Sequence, residues 1–273
     1  MADVNNGSDK TNSDRFQDVD VNTDEELQDL LHGEMVILQK KNGYRFSVDP
    51  ILLTSFIELK KGDQVIDLGT GSGIMPLILA SRQVEAKAGF VGVEVQKTMA
   101  DMAERSVTAN HLGKKIDIRH SDIRDIKKSF AADSFDVVIS NPPYVAAGTG
   151  RVNPEDEKAV ARHEIKITLE EVVIAARYLI KPKGRAYFVF PVKRLTALFC
   201  LCRAHSLEPR QVQFVHANHS SGAKLAMLEA QRDAGVSLHV NRPMFVYNMD
   251  GTYTEEVAVI LNEHDFLETT TET

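Results

Sequence analysis

A nine-residue stretch, Val65-Ile-Asp-Leu-Gly-Thr-Gly-Ser-Gly73, limits the folds open to this chain more than any other feature. An apolar run ending in Asp67 predicts a buried strand. Gly69, Gly71 and Gly73, at alternate positions, then lead into the start of a helix. Glycine lets the backbone turn sharply at such a place and lets a ligand approach the main chain closely. The spacing is Gly-x-Gly-x-Gly, not the Gly-x-Gly-x-x-Gly of dinucleotide binders. Asp67 beside the helix start repels the anions that a free helix N-terminus attracts. A cationic or amino-bearing ligand suits it better. Taken alone, the spacing also fits an ordinary glycine-rich turn.

Around this unit, apolar runs alternate with helical patterns. Strands are expected at 64–67, 89–93, 116–119, 135–139 and 185–190, and helices from 73 to 81, 96 to 111, 168 to 179 and 192 to 205. Thr168 and Glu171 have capping-box spacing, and Lys181-Pro-Lys-Gly184 is expected to be a turn. Two more strands follow near 211–216 and 224–231, a hairpin-like pair compatible with an antiparallel strand at the sheet edge. The expectation is a single α/β domain on a seven-stranded, doubly wound, mostly parallel sheet with both faces covered.

Composition sets the limits of that domain. The 273 residues are 43% hydrophobic, enough to bury a full core. No apolar run reaches membrane-span length, and the polar, acidic start is unlike a secretory signal. Cys200 and Cys202 are alternate residues of an expected helix and do not face each other, and no second Cys/His pair at ligand spacing points to a metal. A reducing cytoplasm is the expected home. Net charge is −7, but Met1 to Glu34 carries ten acids against two bases, and the tail from Asn262 carries four acids and no base. Met35 to Leu261 is therefore +5, which permits RNA binding without demanding it. Residues 1–22 are expected to be a disordered acidic tail, 23–261 the folded domain and 262–273 a second tail.

Three acids fall at the carboxyl ends of consecutive expected strands, where ligands bind in open parallel sheets. Asp67 is the first. Glu94 ends the second strand and can accept both hydrogen bonds of a ribose diol, although a solvated strand-end acid is the commoner role. Asp122, just past the third strand, can accept from an adenine amino group while Ile123 packs on the ring, although Ser-Asp is also routine turn chemistry. The fourth strand runs into Asn141-Pro142-Pro143-Tyr144. The prolines lack amide donors and turn their carbonyls outward as acceptors, Asn141 adds another acceptor, and Tyr144 adds an aromatic face. Two acceptors gripping the hydrogens of a planar amino group favour pyramidal nitrogen and free its lone pair.

The acidic trio and the Asn-Pro-Pro-Tyr motif resemble those of class I S-adenosylmethionine-dependent methyltransferases acting on amino groups of adenine, guanine or glutamine amide. The resemblance implies a Rossmann-like fold, S-adenosylmethionine as cofactor, and Asp67, Gly69, Gly71, Gly73, Glu94, Asp122 and Ile123 as its binding residues. It also implies Asn141, Pro142 and Tyr144 as the catalytic set, with no metal. A wider similarity takes in Tyr44 to Leu53, Ala161-Arg-His-Glu164, Gly222-Ala-Lys-Leu225, Arg242 to Tyr247 and Asp250-Gly-Thr-Tyr253. That order is similar to the bacterial tRNA1(Val) adenine N6-methyltransferases, which implies a tRNA substrate and no membrane partner. The acidic N-terminal extension and Met244-Phe-Val-Tyr247 depart from the commonest form of that family. Phe46 and Asp49 line the cofactor's methionine end in the family picture; Asp49 is equally placed to cap a helix from Pro50. His163 suits a surface or substrate contact better than a general base. Arg162, Lys193, Arg194, Lys224 and Arg242 are candidates to neutralise RNA phosphates or simply a solvated face. Two alternatives stay open: a glutamine-amide methyltransferase acting on a release factor, and a non-catalytic methyltransferase-like domain that binds RNA or protein.

Overall fold

A computed structural model of the chain describes residues 16, 18–31, 33–42, 47–142 and 167–261. Its elements begin with β1 (Glu25–Leu30), β2 (Met35–Lys40), α1 (Asp49–Phe56), β3 (Gln64–Leu68), α2 (Ile74–Arg82) and β4 (Gly89–Glu94). Then come α3 (Lys97–Ala109), β5 (Ile116–His120), α4 (Ile126–Ser129), β6 (Phe135–Ser140), α5 (Leu169–Leu179) and β7 (Ile180–Pro191). The last are α6 (Leu195–Ala204), β8 (Leu207–His216), β9 (Ala223–Arg232), β10 (His239–Val240), β11 (Met244–Phe245) and α7 (Glu255–Leu261).

The main sheet has the order β10-β8-β9-β7-β6-β3-β4-β5, with β11 also paired to β8. Its seven long strands are the expected ones; β10 and β11 add two residues each to the outer side of β8. β3, the strand of the glycine-rich stretch, lies between β4 and β6 with both pairings parallel. Chain progress reverses there, so the carboxyl ends of β3 and β6 flank the switch point where open sheets bind ligands. Each strand sends alternate side chains to opposite faces. In β6, Val137 and Ile139 join the core beneath α1 and α2, while Val138 joins the core beneath α5 and α6.

Two expectations need correction. The antiparallel strand is β9, and it lies between β7 and β8, not at the edge. Ala226, Met227 and Leu228 are all fully buried, which only a strand covered on both faces allows. The expected turn at 181–184 is instead an irregular stretch within β7. Ile180 pairs with Phe135, pairing resumes at Arg185 with Val137, and Lys183 between them has φ 64°. The chain does bulge where Pro and Gly signal it, but it stays in the sheet. The capping box forms as expected, with Glu171 N donating to Thr168 Oγ1 and Thr168 N donating back to Glu171.

The β1–β2 hairpin was not expected from the acidic composition of 23–34. Glu25, counted there only as one of ten acids, is 2% exposed. Arg105 of α3 donates to both its carboxylate oxygens at 2.8 and 3.0 Å, and Lys40 lies 3.4 Å away. α3 also satisfies the open edge of β2: Leu38 N donates to Ser106 Oγ, and Asn110 exchanges hydrogen bonds with both polar groups of Val36. The Arg105 guanidinium holds the Glu25 carboxyl down to about 2. A carboxylate depressed in the folded state contributes stability in full above its ordinary range and loses it as pH falls toward 2. Glu25→Gln is therefore expected to cost about 2 kcal/mol in urea unfolding at neutral pH and to flatten the stability loss between about pH 4.5 and 2. An unchanged unfolding midpoint would remove Glu25 as the hairpin's anchor.

Candidate active site

Gly69, Gly71 and Gly73 all take positive φ, at 78°, 59° and 84°, so the turn after β3 is a conformation that side-chain-bearing residues avoid. Gly69 N and Thr70 N both donate to Val93 O of β4, at 2.9 and 3.0 Å. Glu94 completes the tie. Its Oε2 accepts from Gly71 N at 3.0 Å and its Oε1 from Gln96 N at 2.8 Å. One carboxylate thus fixes the glycine turn and the start of α3 together. It is only 5% exposed, and each of its oxygens retains acceptor capacity toward the space in front of it.

That space is a cavity of about 320 Å³, the size of a small-molecule site. Gly69, Gly71 and Glu94 form one wall; Asn141 and Pro142, leaving the end of β6, form another; Ile123 and Val172 supply apolar surface. A Cβ at Gly69 would meet no protein atom within 4 Å, so the ground above the turn is open to a ligand. The two walls are bolted to each other. Ser140, fully buried between them, donates from Oγ to Leu68 O at 2.8 Å. The residues that follow Ser140 and Leu68, Asn141 and Gly69, line the cavity.

Of the expected site residues, Gly69, Gly71, Glu94, Asp122, Ile123, Asn141 and Pro142 converge on this cavity. Gly73 does not line it. That residue is the N-cap of α2, and a Cβ there would press to 3.3 Å of Ala103 Cβ, so its role is close packing of the turn on α3. Asp67 does not line it either. It is fully buried beneath the turn, where Oδ2 accepts from Thr70 Oγ1 at 2.7 Å and Oδ1 has no partner among the described residues. Asp122 reaches the wall, but Arg124 donates to it from backbone and guanidinium in four contacts of 2.5–3.0 Å, which also holds its carboxyl below the usual range. Three N–H groups of Arg124, its Nε–H shared between both oxygens, engage that carboxylate. Asp49 is the first residue of α1, with Val48 in the N-cap position. Tyr144, with Pro143, Phe46, Arg162 and His163, lies outside the described residues.

Sequence reasoning missed Gln96, Met99, Ile167, Val172 and Ser140. Gln96 carried a signal, since it opens α3 two residues after Glu94. Ile167 and Val172 carried none, because only the packing of α5 brings them to the wall.

Burial pushes the Asp67 carboxyl up to about 7, with the charge of Glu94 adding to the effect and the Thr70 hydroxyl opposing it. A raised carboxylate costs stability once the unfolded chain ionises, so the cost grows from about pH 3.8 and levels off above 7. Asp67→Asn is expected to stabilise the ligand-free protein by about 1–2 kcal/mol at pH 8 and by nothing measurable at pH 4. Thermal unfolding at the two pH values checks this; equal shifts would show that Asp67 is not held in its neutral form.

A methyltransferase domain family model matches residues 59–220, more than half the chain. The chain belongs to that family. This methyltransferase is 24% identical over 219 residues to the tRNA1(Val) (adenine(37)-N6)-methyltransferase of Pedobacter heparinus, covering 80% of this chain and 90% of the relative. It is 30% identical over 166 residues to the protein of the same name from Tolumonas auensis, covering 61% of this chain and 67% of the relative. Among solved structures it resembles a predicted O-methyltransferase, protein Atu636 of Agrobacterium tumefaciens, at a TM-score of 0.62 and 18% identity over 78% of this chain and 95% of that one. The [4+2]-cyclase SpnF shares the fold at a TM-score of 0.51 and 14% identity, over 68% of this chain and 81% of that one. The fold is therefore that of the methyltransferases but does not by itself fix the reaction.

Its methyl donor is S-adenosylmethionine. The residues in the site fit that cofactor. Glu94, a carboxylate at the wall with acceptor capacity to spare, suits a hydroxyl-bearing ligand, and the open glycine turn suits close approach to the main chain. Among the described residues, no His, Cys, Asp and Glu group is arranged to hold a metal ion. No helix there is long and apolar enough to cross a membrane.

Proposed function

We propose that this methyltransferase transfers a methyl group to the exocyclic N6 amino group of an adenine in tRNA, in the cytoplasm. The observation that carries the proposal is the pair Asn141 and Pro142 on the cavity wall opposite the glycine turn, joined to it through Ser140 and Leu68. Asn141 Oδ1 and the Pro142 carbonyl accept the two hydrogens of the amino group, which orients its lone pair into the cavity. Tyr144, two residues on, stacks on the base. Gly69 and Gly71 give main-chain contact to the donor, Glu94 takes its ribose diol, Ile123 packs on its adenine, and Asp67 acts on its amino end from beneath the turn. Asp122, engaged by three N–H groups of Arg124, lines the wall beside Ile123.

S-adenosylmethionine supplies an electrophilic methyl on a sulfonium that is already an activated leaving group. What remains for the protein is positioning, worth roughly 7–11 kcal/mol when reacting atoms are held about 3 Å apart. No general base is needed before transfer; the proton leaves the methylated nitrogen for water afterwards. An adenine held in an RNA loop must leave its stack to enter such a cavity.

Support for RNA as acceptor comes from relatives named for tRNA1(Val) adenine, one of which the chain spans over 90% of its length. Incubating the protein with labelled donor and unmodified tRNA transcripts, then digesting to nucleosides, is expected to give labelled N6-methyladenosine. In a parallel incubation with a release factor, label in a glutamine amide, or no label in either acceptor, would overturn the assignment.

A further inference from the structure

The carboxyl rim of the sheet continues beyond the cavity. β8 runs parallel to β7, so His216 at its end lies on the same rim as Asn141 at the end of β6, three strand spacings away. At about 4.8 Å per strand, the end of β8 and the adjoining β11 are roughly 15–20 Å from Asn141, a few nucleotides of splayed single strand. Two kinds of group collect there. The first is aromatic. His219 is exposed and stacks on Phe245 of β11, with ring centroids 3.8 Å apart and planes at 24°. Tyr247 is 37% exposed and stacks at 5.1 Å on Tyr253.

The second kind is cationic. Lys193 follows the end of β7 and Lys224 opens β9, between the cavity and the rings. Both are exposed, and neither has a hydrogen-bond or ion-pair partner among the described residues. Asp250, an acid of the same loop as Tyr247, is turned onto Thr252, whose backbone N and hydroxyl both donate to it.

We infer that this rim, from Lys193 and Lys224 to the rings of His219 and Tyr247, is a docking face for single-stranded RNA flanking the acceptor base. The inference rests on the RNA reading above and adds where the rest of the substrate lies. Lysines without protein partners neutralise phosphates, and exposed ring faces stack unpaired bases in sequence-tolerant fashion.

The test is equilibrium binding of an in vitro transcribed, unmodified tRNA to the full chain over a range of salt, beside the methylation assay. Lys193→Ala combined with Lys224→Ala is expected to lower the slope of log affinity against log salt by about 1.5. His219→Ala and Tyr247→Ala are each expected to weaken tRNA binding about tenfold, and His219→Phe to retain it, because the stacking face survives. Donor affinity stays unchanged in all four. Unchanged slope and affinity in variants that still bind the donor would overturn the face, even if the wild type methylates tRNA. A lysine-dependent slope in a protein that labels some other acceptor would keep the face and remove the RNA acceptor instead. A wild type that binds no tRNA loses both.

Discussion

Replacing Asn141 by alanine is expected to lower methyl transfer by about 10²–10³-fold, the size of effect seen when one preorganised polar contact to a reacting group is removed. Donor affinity, measured by calorimetry, is expected to move by less than about threefold. The separation follows from the architecture. Asn141 leaves β6 on the acceptor side of the cavity, whereas the donor side is built from the turn after β3 and from Glu94. Among the links between the two sides are buried main chain and the Ser140 hydroxyl. Shortening Asn141 leaves that link intact. Parallel loss of transfer and donor affinity would mean that Asn141 holds the donor, and the assignment of the two walls would fail.

Glu94→Ala is expected to do the reverse and to do it more broadly, with donor affinity falling about 100-fold. The carboxylate holds Gly71 N and Gln96 N as well as facing the cavity, so its removal strips two part-buried amides of their acceptor. An unsatisfied buried donor costs about 1–3 kcal/mol, and the turn can recover it only by moving away from its ligand-ready form. Glu94→Gln separates the contributions. It keeps one acceptor oxygen and is expected to lose about tenfold in affinity, with the turn retained. Equal affinity in wild type and Glu94→Ala would leave the donor held without β4.

The contrast between what sequence foretold and what it did not has a physical basis. The glycine turn was legible because three glycines at alternate positions serve little but a backbone with positive φ, and all three adopt it. The parallel order was legible from continuous apolar runs. By contrast, β9 was misplaced because two neighbouring strands of similar length carry no local mark of which is inner; the fully buried Ala226-Met227-Leu228 run was the available clue. β1 was hidden by its charge, since a buried Glu25 is tolerable only with an arginine 80 positions away. Asp67 and Gly73 were assigned to the ligand from their neighbours in sequence. Strand alternation and the inward face of the turn put one beneath the cavity and the other against Ala103. Local pattern names the turn, but only packing decides which of its residues face out.

The central claim is that one cavity brings a sulfonium donor, seated on the turn after β3, against an amine gripped by Asn141 and Pro142. A crystal structure of the protein with S-adenosylhomocysteine, the spent donor, tests it most directly. The account predicts ligand density over Gly69 and Gly71, a ribose hydrogen-bonded to Glu94, and the thioether sulfur turned toward the Asn141 side chain. Density seated elsewhere, or a sulfur facing away from Asn141, would contradict it.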